Sequence, residues 1–235
     1  MIKSSLFFIF LIIFIFSFSF SISAQKSLLM DNIYAYYPLD GNTVDKGPHQ
    51  LNGEQISKER STKDRFGNKD SALSFNGKEG SLKLPVNINP EKMPKITIAL
   101  WLKVENHSEI STIFSNSDGS FARSLIIDGR KNRPLLSVTA GENQEIYGGL
   151  NIPQNKWVFT AVSWNAENGE VSLYLIDQNK NFRMSTTNNI NPGRGKKFIK
   201  LGQNPDKEDF FEGAVDQLMI WDQILSRDQI KSLTL

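Results

Sequence analysis

From Ile33 onward, apolar residues of this chain recur at alternate positions, and turn dipeptides break the pattern about every ten residues. Ile96, Ile98, Leu100, Leu102 and Val104 alternate with Thr97, Ala99, Trp101 and Lys103. That period gives a strand one row of side chains on each face, and it is not the period of a helix. Residues 156–164 and 171–176 repeat the pattern on either side of Asn168–Gly169, a hairpin signal because both residues readily take positive φ. Asn76–Gly77, Asp118–Gly119 and Asp128–Gly129 mark further turns. Other strands are expected at 34–39, 73–75, 82–84, 112–115, 125–127, 135–139, 197–201 and 214–221. About eleven short strands imply an all-β fold, a two-sheet antiparallel sandwich of the jelly-roll kind. One short C-terminal helix is expected at 226–233, where Ser226 caps and Gln229 reciprocates three residues later. No repeat, linker or charge run divides residues 25–235, so one domain is expected there.

The first 24 residues differ in kind from the rest. They hold seven of the 16 phenylalanines, one lysine and no acidic residue. Lys3, an apolar run over 6–20 and the small-residue exit Ser21-Ile22-Ser23-Ala24 read as a secretory signal peptide, with cleavage expected after Ala24. An uncleaved anchor is the alternative, but the fully apolar part, 6–16, is well short of the ~20 residues needed to span a bilayer. The expected product is secreted, extracellular or periplasmic, with no transmembrane span. Composition excludes other classes. With no cysteine there is no disulfide scaffold, zinc–thiolate centre or cysteine nucleophile. A formal charge of +2 with no basic tract argues against a nucleic-acid partner.

Asp216 is the residue whose setting most needs explaining. A strand over 214–221 puts Ala214, Asp216, Leu218 and Ile220 on one face, so a carboxylate sits in an apolar row. Buried charge must find donors or a cation. Two readings stay open: a carboxylate tying down a loop through backbone N–H groups, or a ligand of an oxygen-rich calcium site. The candidate donor loop is Tyr37–Asp45, which offers Asp40, Asn42 and Asp45 around Gly41; an ordinary Asp-Gly turn is its plainer reading. Asp177, Asn179 and Asn181 imitate the start of a calcium loop. Phe182 stands where that loop needs glycine and Asn188 where it needs glutamate, so a polar hairpin turn is expected.

Catalytic patterns are weak. His49 and His107 lie beside no nucleophile motif and share no zinc spacing. The acids Glu142/Glu145, Glu167/Glu170 and Glu208/Asp209/Glu212 fall in turn-like stretches. Glu212 and Asp216 would share a strand face at ~13 Å, too far for a glycosidase pair. Gly193-Arg194-Gly195-Lys196-Lys197 lacks the phosphate-loop spacing. Trp101, Trp157 and Trp164 sit in regular strands and are expected in the core, with Trp221 less determined; Tyr147 and Phe121, near loops, are the expected glycan-stacking residues.

In order and spacing, the segments YAYYPLDGNTVDKGPHQLNG, SALSFNGKEGSLKLP, ITIALWLKV, NKWVFTAVSWNAENGEVSLYLI, FIKLGQNP and FEGAVDQLMIWDQILSRDQIKSL resemble a laminin G-like domain of the concanavalin A-like lectin/glucanase superfamily. The resemblance covers almost all of residues 32–234. It implies a two-sheet jelly roll and, as in many relatives, a calcium ion joining the N-terminal loop to the last-strand aspartate, here Asp216. Gln217 departs from the acidic residue common after that aspartate, and Lys46-Gly47-Pro48 from the usual small polar loop. The E-x-D-x-x-E strand motif of hydrolase relatives is absent. The expectation is a non-catalytic binding module for carbohydrate or an extracellular protein surface, stabilised by structural calcium at Asp216, Asp40 and Asn42. A divergent glycoside hydrolase or lyase on the same fold is the alternative, and a purely structural adhesin the third.

Overall fold

The computed structural model describes residues 25–234 apart from 56–59, 107–108, 120, 131–132, 142–145, 192 and 206–208. The expected export segment, His107, Glu142, Glu145 and Glu208 lie outside the described residues. A first helix, α1, occupies 25–31. Strands β1 (Ala35–Tyr37), β2 (Glu54–Gln55), β3 (Arg60–Thr62), β4 (Ala72–Asn76) and β5 (Leu82–Leu84) follow. The middle of the chain forms β6 (Lys95–Val104), β7 (Ile110–Ser115), β8 (Phe121–Asp128), β9 (Leu135–Gly141) and β10 (Ile146–Asn151). Then come β11 (Trp157–Asn165), β12 (Glu170–Ile176), β13 (Phe182–Thr187), β14 (Ile199–Leu201), β15 (Glu212–Trp221) and the helix α2 (Arg227–Ser232).

Two antiparallel sheets result, as the alternation requires. The first runs β13-β12-β11-β6-β15-β4-β3, with β1 pairing β15 beyond the end of β4. The second runs β10-β9-β8-β7-β14-β5-β2. Every expected strand is present, and β2, β3, β10 and β13 are additions. The β11–β12 hairpin closes through residues 166–169, and only Gly169, at φ 72°, takes the positive φ expected of both Asn168 and Gly169.

The alternating rows now have destinations. Ile96, Ile98, Leu100, Leu102 and Val104 enter a core between the sheets, where they meet Leu125, Ile127, Leu136, Val138, Ile199 and Leu201. Burying each such side chain contributes about 1.5–3 kcal/mol, offset by the entropy of ordering the chain. The opposite row of the first sheet is covered separately. Ala99, Phe159, Tyr174, Ile176, Met219 and Trp221 pack under Leu29 of α1 and under Leu225, Ile230 and Leu233 around α2. The Trp221 indole Nε1 donates to Leu29 O at 2.9 Å, fixing α1 to the sheet. The expected capping box forms: Gln229 N donates to Ser226 Oγ, and Ser226 N to Gln229 Oε1.

One register irregularity corrects the sequence reading of β15. Asp216 pairs with Trp101 and Met219 with Ala99, so the last strand carries an extra residue there. Gln217 takes φ 52°, a left-handed conformation unusual for a residue with a side chain. The bulge resets the alternation: Val215, Leu218 and Ile220 face the inter-sheet core, whereas Ala214, Met219 and Trp221 lie on the outer face. Asp216 therefore does not share a face with Leu218 and Ile220.

The loop-tying carboxylate that sequence allowed at Asp216 is Asp45. Its Oδ1 accepts from Tyr36 N (2.8 Å) and Gly47 N (2.7 Å), and its Oδ2 accepts from Leu51 N (2.8 Å). A Cβ on Gly47 would stand 2.9 Å from that Oδ1, which is why glycine occupies the Lys46-Gly47-Pro48 departure. Asp45→Ala leaves three N–H groups without their acceptor; at about 1–3 kcal/mol per orphaned buried donor, urea unfolding is expected to show a loss of about 3 kcal/mol or more. A loss under about 1 kcal/mol would mean that water replaces the carboxylate and that the loop does not depend on it.

Candidate functional site

A cleft of about 430 Å³ opens on the outer face of the first sheet, where the cover from α1 and α2 ends. Its floor comes from the central strands. Trp101 of β6 faces Phe159 of β11 across the ladder, and Trp157 of β11 faces Lys103 of β6, so all four side chains share the outer face. The Trp101 and Phe159 rings meet edge-on at 5.3 Å. Trp101 Nε1 is buried without a protein acceptor.

Two turns wall the cleft, and they are built alike. Asp64-Arg65-Phe66-Gly67-Asn68 joins β3 to β4, at one flank of the sheet; Asp177-Gln178-Asn179-Lys180-Asn181 joins β12 to β13, at the other. In the first, Asp64 Oδ1 accepts from Phe66 N (2.9 Å) and Asn68 N (2.8 Å), and Oδ2 accepts from Asn68 Nδ2 (2.9 Å). In the second, Asp177 Oδ1 accepts from Asn179 N (2.9 Å) and Asn181 N (3.0 Å), and Oδ2 accepts from Asn181 Nδ2 (3.0 Å). The fourth residue of each is left-handed, Gly67 at φ 88° and Lys180 at φ 63°. A D-x-x-x-N turn of this kind satisfies its own backbone and stays rigid while the residues between present their side chains. The Asn181 amide holds the Asp177 carboxyl below the usual carboxylate range.

Arg65 links the first wall to the floor. Its guanidinium lies 4.4 Å from the Trp101 ring centre and 4.3 Å from that of Phe66. Its Nη1 donates to Asp216 Oδ2 at 2.7 Å, and Nη2 to Gln217 Oε1 at 3.3 Å. Only 15% of the Arg65 side chain and 2% of the Asp216 side chain are exposed. Burial pushes the Asp216 carboxyl up to about 7 against the pull of Arg65, with Asp64 and Asp40 pushing the same way as burial. On the open side, Lys180 Nζ donates to Thr234 O at 2.7 Å. Burial first, and then the charges of Arg65 and Lys180, hold the Lys26 ammonium of α1 below the usual lysine range.

The sequence-derived site residues do not all meet here. Asp216 lies beneath Arg65. Asp40 is exposed yet near enough to act on Asp216 through its charge. Asn42 is exposed and closes its own turn, its Oδ1 accepting from Val44 N and its Nδ2 donating to Asp40 O, both at 3.0 Å. A calcium shell needs six or more oxygens. The present arrangement does not fit it: a guanidinium holds the inward oxygen of Asp216, and no group of three or more His, Asp or Glu able to hold a metal occurs among the described residues. Tyr147, in β10 of the second sheet, packs against the inter-sheet core; Phe121 begins β8, and its side chain lies outside the described residues.

Of the tryptophans, Trp164 is in the inter-sheet core and Trp221 under the helices. Trp157, only 8% exposed, is buried as expected, in a small cluster with Ala72 and Ala214 on the outer face, whereas Trp101 is only half-buried; both border the cleft because their row faces outward where the helices do not reach. The D-x-x-x-N pattern occurs three times in the sequence, as DRFGN, DGRKN and DQNKN, each at or just after the end of a strand, so the pattern alone does not say which of these turns wall the cleft.

Comparisons with known proteins agree with this architecture. The family model Laminin_G_3, described as concanavalin A-like lectin/glucanases superfamily, matches residues 76–231. The chain is 29% identical over 152 residues to the rat sushi, von Willebrand factor type A, EGF and pentraxin domain-containing protein 1, covering 59% of this chain and 4% of that protein. It is 19% identical over 155 residues to the mouse pentraxin-related protein PTX3, covering 62% of this chain and 40% of that protein. This chain thus spans less than half the length of either relative. Among solved structures, domain 4 of AbnA, a GH43 extracellular arabinanase from Geobacillus stearothermophilus, was determined with arabinotriose. It superposes with a TM-score of 0.62 at 20% identity, covering 87% of this chain and 98% of that one. The ligand-binding domain of botulinum neurotoxin serotype D, determined with N-acetylneuraminic acid, superposes at 0.65 with 13% identity, covering 89% of this chain and 52% of that one. A two-sheet sandwich with this strand order, matched by the family model over two thirds of its length, makes the chain a member of the concanavalin A-like lectin/glucanase superfamily, of the laminin G-like kind.

Proposed function

We propose that the protein is an exported, non-catalytic carbohydrate-binding module and that the outer-face cleft is its binding site. The observation that carries this reading is the cleft itself. Trp101 and Trp157 on rigid strands and Phe66 on a self-satisfied turn surround a space of about 430 Å³ that also holds hydrogen-bonding side chains. Sugar rings have an apolar face that stacks on aromatic rings and a polar edge that needs donors and acceptors. Two solved structures of the same fold were determined with saccharides, an arabinotriose and an N-acetylneuraminic acid. The residues ahead of α1, read as a signal peptide, and the likeness to pentraxin-containing proteins support export.

The enzymatic alternative needs two carboxylates across the cleft. Here the lining carboxylate Asp177 holds its own turn together, and Asp216 lies below Arg65. Both are committed within the protein.

Phe66→Ala tests the stacking role with little risk to folding, since 73% of that residue is exposed. By titration calorimetry on an oligosaccharide panel, Phe66→Ala and Trp157→Ala are each expected to weaken the best ligand about tenfold, the equivalent of about 1.4 kcal/mol. Unchanged affinity in both variants would remove the cleft as the site.

Calcium has a separate test. Because Arg65 neutralises Asp216, thermal unfolding of the wild-type protein is expected to be indifferent to a chelator. A chelator-dependent fall would instead establish the ion joining Asp216 to Asp40 and Asn42. Arg65→Met, which strands a buried carboxylate, is expected to cost about 3 kcal/mol in urea unfolding, and Arg65→Met/Asp216→Asn to recover part of that loss. Equal losses in the single and double variants would show that the pair is not coupled.

A further inference from the structure

The polar groups of the cleft differ in how far the protein already engages them. Three cations, Lys26, Arg65 and Lys180, stand against three carboxylates, Asp177 of the lining and Asp64 and Asp216 beside Arg65, so no net charge marks the cleft for an ion. Asp177 is held by three donors of its own turn. Arg65 donates to Asp216 and Gln217, Lys180 is tied to Thr234 O, and the Thr234 hydroxyl donates to Lys231 O. Gln178 differs. It is exposed at the second residue of the β12–β13 turn and lines the cleft, and its side-chain amide bonds to no group among the described residues. The turn that carries it is closed by Asp177 and Asn181, so an amide with one acceptor oxygen and two N–H donors is held in place with its hydrogen-bonding capacity open.

The shape of the cleft adds a second constraint. The β3–β4 and β12–β13 turns wall its two flanks, α1 contributes Lys26, and the residues after α2 contribute Leu233 and Thr234. The hydrogen bond from Lys180 to Thr234 O crosses the side left between turn and helix. The space of about 430 Å³ is near the low end of the ~300–1,000 Å³ usual for small-molecule sites. Such a space admits the end of a chain and gives its middle no passage.

We infer that the cleft reads the terminal residue of a neutral glycan, with Phe66 against the ring face and Gln178, on the facing turn, as the specificity-determining residue that bonds the ring edge. This inference rests on the reading of the cleft as a saccharide site. Neighbouring ring hydroxyls each donate and accept, so one can receive the amide N–H while the next donates to the amide oxygen. An aromatic ring and a free amide on opposite walls thus meet the two chemically different sides of one sugar.

The test is calorimetry with neutral gluco-, galacto-, manno- and arabino-configured saccharides, from monosaccharide to hexasaccharide, and with the matching polysaccharides. In the series that binds best, affinity is expected to level off at the disaccharide or trisaccharide, and the polysaccharide to saturate at one protein per chain end. Gln178→Ala removes no contact within the protein, so its folding is expected to be unchanged and its affinity to fall about threefold to tenfold. A monodeoxy analogue of the terminal residue that weakens wild-type binding by the same factor should weaken Gln178→Ala no further. Affinity that keeps rising to the hexasaccharide, or Gln178→Ala binding as the wild type does, would overturn the inference and leave the saccharide site standing. Binding of no saccharide in any series would overturn both.

Discussion

The arrangement of the outer face depends on how one carboxylate is accommodated. Asp216 sits in the middle of the strand that joins β6 to both β1 and β4, in an outward row whose flanking members Ala214, Met219 and Trp221 are apolar. The bulge at Gln217 lets Leu218 and Ile220 regain the inter-sheet core after Asp216 has turned outward. Arg65 then meets Asp216 from a turn 151 residues earlier, at 2.7 Å. That single contact ties the β3–β4 turn down over the sheet, sets the guanidinium against Trp101 and leaves Phe66 projecting beside the cleft. A buried charge pair of this kind contributes little net stability against an apolar replacement, yet it is costly to break on one side only. Its consequence here is positional: it fixes where an exposed aromatic ring stands.

Position matters because binding energy is lost to ordering whatever is loose. The cleft residues are supported on parts that do not need a ligand to become ordered. Trp101 and Trp157 ride on the β6–β11 ladder, nine residue pairs long, at the centre of the first sheet. The two D-x-x-x-N turns supply their own hydrogen bonds, so neither flank relies on the other. The cores on either side of the sheet hold that platform in place. With no cysteine in the chain, those cores and the Asp45 clamp on the N-terminal loop do the work that disulfides do in small disulfide-stapled domains.

Much of the fold was legible because it is periodic. The β6 row is alternating over its whole length, and the β15, β11 and β12 segments are long enough for the pattern to stand out. Strands β2, β3, β10 and β13 were not, for a physical reason: EQ, RST, IYGGLN and FRMSTT are short, polar or broken by glycine, and their pairing is imposed by neighbours. The bulge was equally hidden, since a left-handed Gln217 has no mark in the sequence, and the face assignment of Asp216 failed with it. The order of motifs showed the family. The choice between Asp45 and Asp216 as the loop-tying carboxylate could not be read from one dimension, because both the backbone donors and Arg65 arrive from elsewhere. The core assignment held for Trp157, while half-buried Trp101 departs from it, because alternation says that a face is covered or open only after one knows what packs on it.

The four tryptophan indoles report directly on the central claim that saccharide binds the outer-face cleft. Trp101 and Trp157 line it, whereas Trp164 is sealed between the sheets and Trp221 is bonded to Leu29 O beneath the helices. In a proton–nitrogen correlation spectrum of labelled protein titrated with its best oligosaccharide, the indole N–H signals of Trp101 and Trp157 should shift together and saturably, while those of Trp164 and Trp221 stay in place. Saturable binding with both cleft indoles unmoved would contradict the account and put the ligand elsewhere on the domain.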